Sequence, residues 1–147
     1  MALILVKFGK VRSQFLQAAE FHYLDLLQKT KVPFEVRTLK GKDDKKADTE
    51  MILDKYGKEQ HISILAENGV ATTSIKFADR VSPAFISHDP HYFILGGTFG
   101  WQYNLLPKHC QLLSLSPLTF PHEIAYILLL EQVYRSYKII KGQEYHY

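Results

Sequence analysis

The chain has 147 residues, of which 46% are hydrophobic and 22% are charged, and its formal net charge is +3. A disordered chain would have fewer apolar residues and a larger charge imbalance, so the composition excludes disorder and predicts one domain over residues 1–147. The single cysteine excludes an internal disulfide and a cysteine metal cluster, and it fits a reducing cytoplasm. The small positive charge permits an RNA partner without requiring one.

Strand and helix patterns alternate in the first half of the chain. Leu3–Phe8 is a continuous apolar run that ends at Gly9, as in a strand covered on both faces. Ser13 is the expected N-cap of the helix that follows. The predicted elements up to the turn dipeptide Asn68-Gly69 are a helix at 13–27, a strand at 34–39, a helix at 47–56 and a strand at 61–65.

The second half continues the alternation. A short helix is predicted at 72–80, with Thr73 or Ser74 as its cap. Strands at 91–95 and 111–115 and a long helix at about 121–140 follow. Strands that alternate with helices are typical of an α/β protein with a parallel sheet and helices on both faces.

Two turns follow predicted strands and are candidate ligand loops. Gly96-Gly97-Thr98-Phe99-Gly100 comes directly after one strand, and glycines there allow positive φ and a close approach of the backbone to a ligand. The hydroxyl-rich segment 115–120 links another strand to the long helix. The glycine segment is equally interpretable as an ordinary turn, since it forms neither a dinucleotide motif nor a phosphate loop, and the residues of 115–120 alone favour a turn that only ends a strand and starts a helix.

The long helix carries two further signals. Residues 124–130 are apolar on nearly every helical face, so we expect this segment to be buried, in part by a second subunit. Glu131 and Arg135 lie four residues apart, with the acid first, which favours an ion pair of either structural or functional role.

Other catalytic or targeting motifs are missing from the sequence. The seven histidines show no metal-ligand spacing, and no G-x-S-x-G elbow exists, so we expect no metal and no serine hydrolase chemistry. Cys110 lies beside apolar residues and is interpreted as a buried structural thiol rather than a nucleophile. The apolar runs are too short for a signal peptide or a membrane span, so we expect a cytoplasmic protein with no membrane partner.

Taken together, several segments resemble the ribosomal RNA large subunit methyltransferase H family, a minimal branch of the SPOUT methyltransferases. The resemblance covers essentially the whole chain and is most specific over residues 95–146. The segments that carry it are Lys46-Ala47-Asp48, Ile52-Leu53-Asp54-Lys55, Leu95-Gly96-Gly97-Thr98-Phe99-Gly100, Leu115-Ser116-Pro117-Leu118-Thr119-Phe120-Pro121-His122, Leu130-Glu131-Gln132-Val133-Tyr134-Arg135 and Tyr145-His146.

The resemblance implies a fold, a reaction and a set of partners. The fold would be a SPOUT-type sheet with a C-terminal trefoil knot, in a homodimer. The reaction would be methylation of N3 of a pseudouridine in 23S rRNA within the ribosome, with S-adenosyl-L-methionine as cofactor. The residues implied in cofactor binding are Leu65, Gly97, Leu115, Ser116, Pro117, Leu118, Thr119 and Phe120.

The catalytic residues implied by the resemblance lie at the C-terminal end of the chain. His146 would accept the proton of N3, since histidine is the usual general base. Tyr145 would position the nucleotide, and Arg135 would belong to the same group. The alternative is that Tyr145 and His146 only order the tail.

The chain departs from the family pattern at three positions. Tyr126 and Tyr147 stand where the family usually has basic residues, and Ala66 stands where aspartate is common. The first two changes remove positive charges that could hold a phosphate. They motivate an alternative function, a catalytically weakened SPOUT protein that binds RNA or cofactor. A small-molecule α/β enzyme is the third interpretation.

Overall fold

The computed structural model describes residues 3–145, which form five β-strands, four α-helices and one short 3₁₀ helix. The elements in chain order are β1 (Leu3–Phe8), α1 (Gln14–Lys29), β2 (Phe34–Leu39), α2 (Lys45–Tyr56), β3 (Ile62–Ala71), α3 (Ser74–Ile86), β4 (His91–Leu95), the 3₁₀ helix (Tyr103–Leu105), β5 (Gln111–Ser114) and α4 (His122–Ile140).

The five strands form one parallel sheet in the order β2-β1-β4-β3-β5. Alternate side chains of β1 point to opposite faces. Leu3 and Leu5 pack in a core with residues of α1, α3 and α4, whereas Ile4 and Val6 pack with residues of α2. The predicted parallel α/β sheet with helices on both faces is therefore confirmed. Across residues 3–145, no helix has the length and apolar character needed to cross a membrane.

The third strand is longer than its sequence pattern predicts. Instead of ending before Asn68-Gly69, β3 continues to Ala71, because a β-bulge keeps it paired with β5. Leu113 of β5 faces Leu65 before the bulge and Val70 after it. A Cβ atom on Gly69 would lie 2.6 Å from the backbone nitrogen of Leu113, so glycine allows the two strands to approach closely.

The third helix also extends beyond its prediction, to Ile86 rather than residue 80. Its buried stripe continues from Phe77 through Val81 to Ala84, and this burial extends the helix even though Pro83 lies inside it. The predicted cap at Thr73 is confirmed, since its side chain accepts a hydrogen bond from the backbone N–H of Lys76 at 3.2 Å.

Much of the apolar surface of α4 is buried within the chain itself. Tyr126, Leu129 and Leu130 have at most 2% of their surface exposed, in the core shared with α1 and α3. Leu128 remains 37% exposed. Packing within the chain thus explains most of the burial that the apolar pattern predicted. Only the exposed part of α4 is left for a second subunit to cover, which is less than we expected.

Cys110 is half-buried and packs against the core on the α2 face of the sheet. Burial raises the pKa of the Cys110 thiol and so disfavours the nucleophilic thiolate. Both observations support the structural interpretation of this residue.

Candidate active site

A cavity of about 410 Å³ lies where the carboxyl ends of β4 and β5 meet the bulge of β3. This edge of a parallel sheet is where ligands bind in open α/β folds. The cavity is lined by six of the eight residues predicted to bind cofactor, namely Leu65, Gly97, Leu115, Ser116, Leu118 and Phe120. The other two, Pro117 and Thr119, belong to the same turn but do not line the cavity.

The glycine loop after β4 is held against β3 by Trp101. The indole Nε1 of Trp101 donates a hydrogen bond to the backbone oxygen of Leu65 at 3.1 Å, and the ring is 5% exposed. A Cβ atom on Gly96 would lie 3.0 Å from that Nε1, and Gly100 has a φ of +73°. Glycine is therefore needed at Gly96 for the close approach and at Gly100 for the turn.

The same loop is anchored to the start of α2. The hydroxyl of Thr49, which is fully buried, accepts a hydrogen bond from the backbone N–H of Gln102 at 3.0 Å. That hydroxyl donates to the backbone oxygen of Lys45 at 2.6 Å, and Lys45 itself lines the cavity. The chain thus places a cation at the cavity wall.

The hydroxyl-rich turn after β5 is stabilised by its own side chains. The Ser114 hydroxyl donates to the backbone oxygen of Ser116 at 2.8 Å, and the Ser116 hydroxyl accepts from the backbone N–H of Leu118 at 3.0 Å. Thr119 donates to the Glu67 carboxylate at 3.0 Å and so ties the turn to β3. These hydroxyls build the turn, while the apolar side chains between them form the cavity wall.

Several lining residues were not identified from the sequence. The most relevant to ligand binding are Lys45, Glu67, Trp101 and Tyr103, whereas Phe99 and His122 lie within segments already identified from the sequence. Burial, followed by the nearby charge of Glu67, raises the pKa of Tyr103. The only sequence signal for the aromatic residues is their position directly after the glycine motif, where a core role was equally open.

Two of the three catalytic residues predicted from the family, Tyr145 and Arg135, lie around Glu131. The Glu131–Arg135 ion pair is confirmed at 2.6 Å, with both side chains mostly buried. The Tyr145 hydroxyl donates to Glu131 at 3.3 Å, and the Arg135 guanidinium lies 4.8 Å from the centre of the Tyr145 ring. Burial, then the Glu131 charge, raises the pKa of Tyr145 to about 12, so the phenol stays protonated at neutral pH. His146 lies outside the described residues.

This cluster is separated from the cavity within one chain. Ala125 of α4 lines the cavity, and Arg135 is ten residues further along the same helix. At 1.5 Å per residue, the axial separation is about 15 Å. The structure therefore brings Tyr145 and Arg135 together but does not place them in the cavity of their own chain.

Comparison with known proteins identifies the family. A sequence model of the family described as predicted SPOUT methyltransferase matches residues 1–146. The chain belongs to this SPOUT methyltransferase family. Relatives named ribosomal RNA large subunit methyltransferase H agree with it in length. The one from Pseudothermotoga lettingae is 31% identical over 100% of both chains. The one from Enterococcus faecalis is 30% identical over 99% of both. The one from Prochlorococcus marinus is 35% identical over 97% of this chain and 93% of its own.

The departure at Tyr126 has a structural role in this SPOUT methyltransferase. Tyr126 is 2% exposed, and its hydroxyl donates to the Glu20 carboxylate at 2.6 Å. The Lys7 ammonium lies 4.8 Å from the centre of the Tyr126 ring. Burial is the main cause that lowers the pKa of Lys7, and Glu20 opposes it. Lys7 therefore supplies a basic side chain beside residue 126, although residue 126 itself is not basic in this chain.

We expect Tyr126→Phe to lower the free energy of unfolding by about 1.5–3 kcal/mol, because the methyltransferase loses a hydrogen bond to a carboxylate while keeping the aromatic ring. Urea denaturation measures this change. Tyr137→Phe is the matched control, since Tyr137 lies on the same helix and its ring packs against Phe85. Equal stability of the two variants would remove the proposed stabilising role of the Tyr126–Glu20 bond.

Proposed function

We propose that this methyltransferase transfers a methyl group from S-adenosyl-L-methionine to N3 of a pseudouridine in 23S rRNA of the large ribosomal subunit. The observation that carries the proposal is the glycine-loop cavity at the carboxyl ends of β4 and β5, in a chain whose full-length relatives are named as large-subunit rRNA methyltransferases. We propose a single SPOUT domain with a trefoil knot, acting in the cytoplasm, where ribosomes are present.

The residues of the cavity fit the proposed cofactor. Its volume of about 410 Å³ lies in the range of small-molecule sites. Phe99, Tyr103 and Phe120 supply aromatic surface that attracts a positively charged sulfonium. The Glu67 carboxylate can accept hydrogen bonds from ribose hydroxyls. Leu65, Gly97 and the 115–120 turn would hold the rest of the cofactor.

The cofactor supplies an already activated methyl group, so the tasks of the protein are alignment and proton removal. We propose that His146 accepts the proton that leaves N3. Tyr145 stays protonated at neutral pH and donates a hydrogen bond to Glu131, so its ring could stack on the nucleotide and its phenol oxygen could accept a hydrogen bond from it. Arg135 would orient Tyr145 through their contact and through the shared Glu131.

The separation between this cluster and the cavity supports a homodimer. Tyr145 and Arg135 lie too far along α4 to serve the cavity of their own chain, but the tail of a second copy could reach it. Phe15 and Phe21 on α1 are 70% and 75% exposed, and Leu128 on α4 is also partly exposed. Large exposed apolar side chains on adjacent elements are typical of an interaction surface.

The modification state of ribosomes in cells tests this proposal. We expect 23S rRNA from cells that contain the protein to carry one methylated pseudouridine that is missing from cells without it. Nucleoside mass spectrometry measures the difference. Identical nucleoside content in both cell types would favour the catalytically weakened binding protein, an alternative motivated by the missing basic residues at Tyr126 and Tyr147.

A further inference from the structure

A second cavity of about 510 Å³ lies at the opposite end of the sheet from the glycine loop, and we name it the histidine cavity. His61 precedes β3, His91 begins β4 and Gln111 begins β5, so the cavity opens at the amino ends of these strands. Along β4, the residues His91 to Phe93 line this cavity and Leu95 lines the first, so the two cavities open at opposite ends of the strand. The proposed methyl transfer uses none of its residues.

Two basic side chains of α3 line one wall of the histidine cavity. Lys76 and Arg80 lie four residues apart and therefore on one face of the helix. A guanidinium nitrogen of Arg80 donates to the side-chain oxygen of Gln111, which fixes Arg80 across the cavity from α3 to β5. Asp79 is the acidic residue among the lining side chains and offsets one of the two positive charges.

Three histidines line the opposite wall. The parallel pairing of β3 with β4 places His61 beside His91, and their rings stack 4.2 Å apart at an angle of 5°. His109 contributes from the loop before β5, where its Nε2 lies 2.7 Å from the backbone oxygen of Glu59. This contact requires Nε2 to carry the proton, because a carbonyl oxygen can only accept.

The stacked histidines make the charge of the cavity sensitive to protons. Two positively charged imidazolium rings at this distance would repel each other, and an anion between the walls would offset that repulsion. Burial lowers the pKa of His91, the neighbouring His61 lowers it further, and Asp89 opposes both. The titratable and charged groups that line the cavity are His61, Lys76, Asp79, Arg80, His91, Tyr92 and His109. Two carboxylates lie near these groups without lining the cavity: the charge of Asp89 acts on His91, and the charge of Glu59 acts on Tyr92.

The donor set matches an anion. The lining contains an ammonium, a guanidinium and three imidazoles against the one carboxylate of Asp79, and basic groups in such arrangements recognise phosphate. Among residues 3–145, no three histidine, cysteine, aspartate or glutamate side chains form a group that could hold a metal ion.

We propose that the histidine cavity binds a phosphate group, and that protonation of the stacked pair His61 and His91 strengthens binding. Binding takes up a proton from solvent onto one imidazole, and the anion offsets the new charge. The phosphate can belong to an RNA backbone or be a free anion, since both present the same tetrahedral oxygens.

Sulfate is the first probe, because its charge does not change between about pH 5.5 and pH 8, where histidine titrates. We expect calorimetry to show binding about tenfold tighter at the lower pH, the effect of one added charge-assisted hydrogen bond. Arg80→Gln should weaken binding by roughly tenfold for the same reason. Lys55→Gln removes an equal charge on α2, outside the cavity, and should leave affinity unchanged.

The histidine variants test the proton dependence separately. His61→Gln should reduce the pH dependence of sulfate binding, whereas His22→Gln, at an exposed site on α1, should not.

Competition experiments identify the source of the phosphate. Displacement of sulfate by a short single-stranded RNA would identify the RNA backbone, and displacement by inorganic phosphate but not by RNA would identify a free anion. Equal sulfate affinity in Arg80→Gln and Lys55→Gln, or equal affinity at both pH values, would overturn the proposal. Cofactor affinity is measured in parallel, so a failure of the anion-binding proposal can be distinguished from a failure of the proposed methyl transfer.

Discussion

We expect Gly97→Arg to weaken S-adenosyl-L-methionine binding by more than about tenfold while the chain remains folded. A Cβ atom on Gly97 would lie 3.5 Å from Phe8 and 3.8 Å from the Asp48 carboxylate, at ordinary contact distances. With that space already filled, the rest of an arginine side chain must extend into the cavity that Gly97 lines. Isothermal titration calorimetry measures the loss.

Gly97→Ala is the matched control for this variant. Its single methyl group fits the observed space, and Gly97 does not have the positive φ recorded at Gly100, so we expect cofactor affinity close to that of the parent chain. Circular dichroism checks that both variants are folded. Unchanged cofactor affinity in folded Gly97→Arg would rule out the glycine-loop cavity as the cofactor site.

Removal of residues 145–147 should abolish methyl transfer while changing cofactor affinity little. Loss of a general base lowers rates by about 10²–10⁴-fold, and the tail carries the proposed base His146 together with Tyr145. The cofactor cavity is lined by none of the described tail residues, so binding should persist. Methyl transfer to ribosomes and cofactor titration, both on the truncated chain, measure the two effects.

Two controls separate catalysis from packing in the tail. Tyr145→Phe keeps the ring that packs edge-on against Tyr134 but loses the hydrogen bond to Glu131. Coexpression of the truncated chain with Gly97→Arg should restore part of the activity, because in a mixed dimer one intact tail can serve one intact cavity. Full activity of the truncated chain would refute the roles of Tyr145 and His146. Loss of cofactor binding equal to the loss of activity would show that the tail closes the cofactor cavity instead.

Local sequence patterns were sufficient where structure depends on neighbours in the chain. The continuous apolar run of β1 indicates that the strand is buried on both faces, as the structure shows. The Thr73 cap depends on a contact only three residues away in the chain. The glycine loop after β4 was likewise identifiable as a ligand-loop candidate from its position at a strand end, although the same glycines also fit an ordinary turn.

Features that depend on distant contacts could not be read from the same patterns. The bulge at Gly69 exists because the backbone of β5, more than forty residues later, approaches it. Nothing local shows that β4 lies between β1 and β3, or that Trp101 reaches back to Leu65. The separation of Tyr145 from the cavity could not be predicted either, because the distance between them depends on where the folded chain places α4 relative to the cavity.

Methyl transfer by the purified chain to defined ribosomes tests the central proposal most directly. Ribosomes from cells that lack the protein are incubated with the chain and S-adenosyl-L-methionine carrying a labelled methyl group, and the rRNA is then digested to nucleosides. We expect the label in a single methylated pseudouridine from 23S rRNA, with Gly97→Arg giving none. Label in another nucleoside, or no label with the folded parent chain and bound cofactor, would contradict the proposed function.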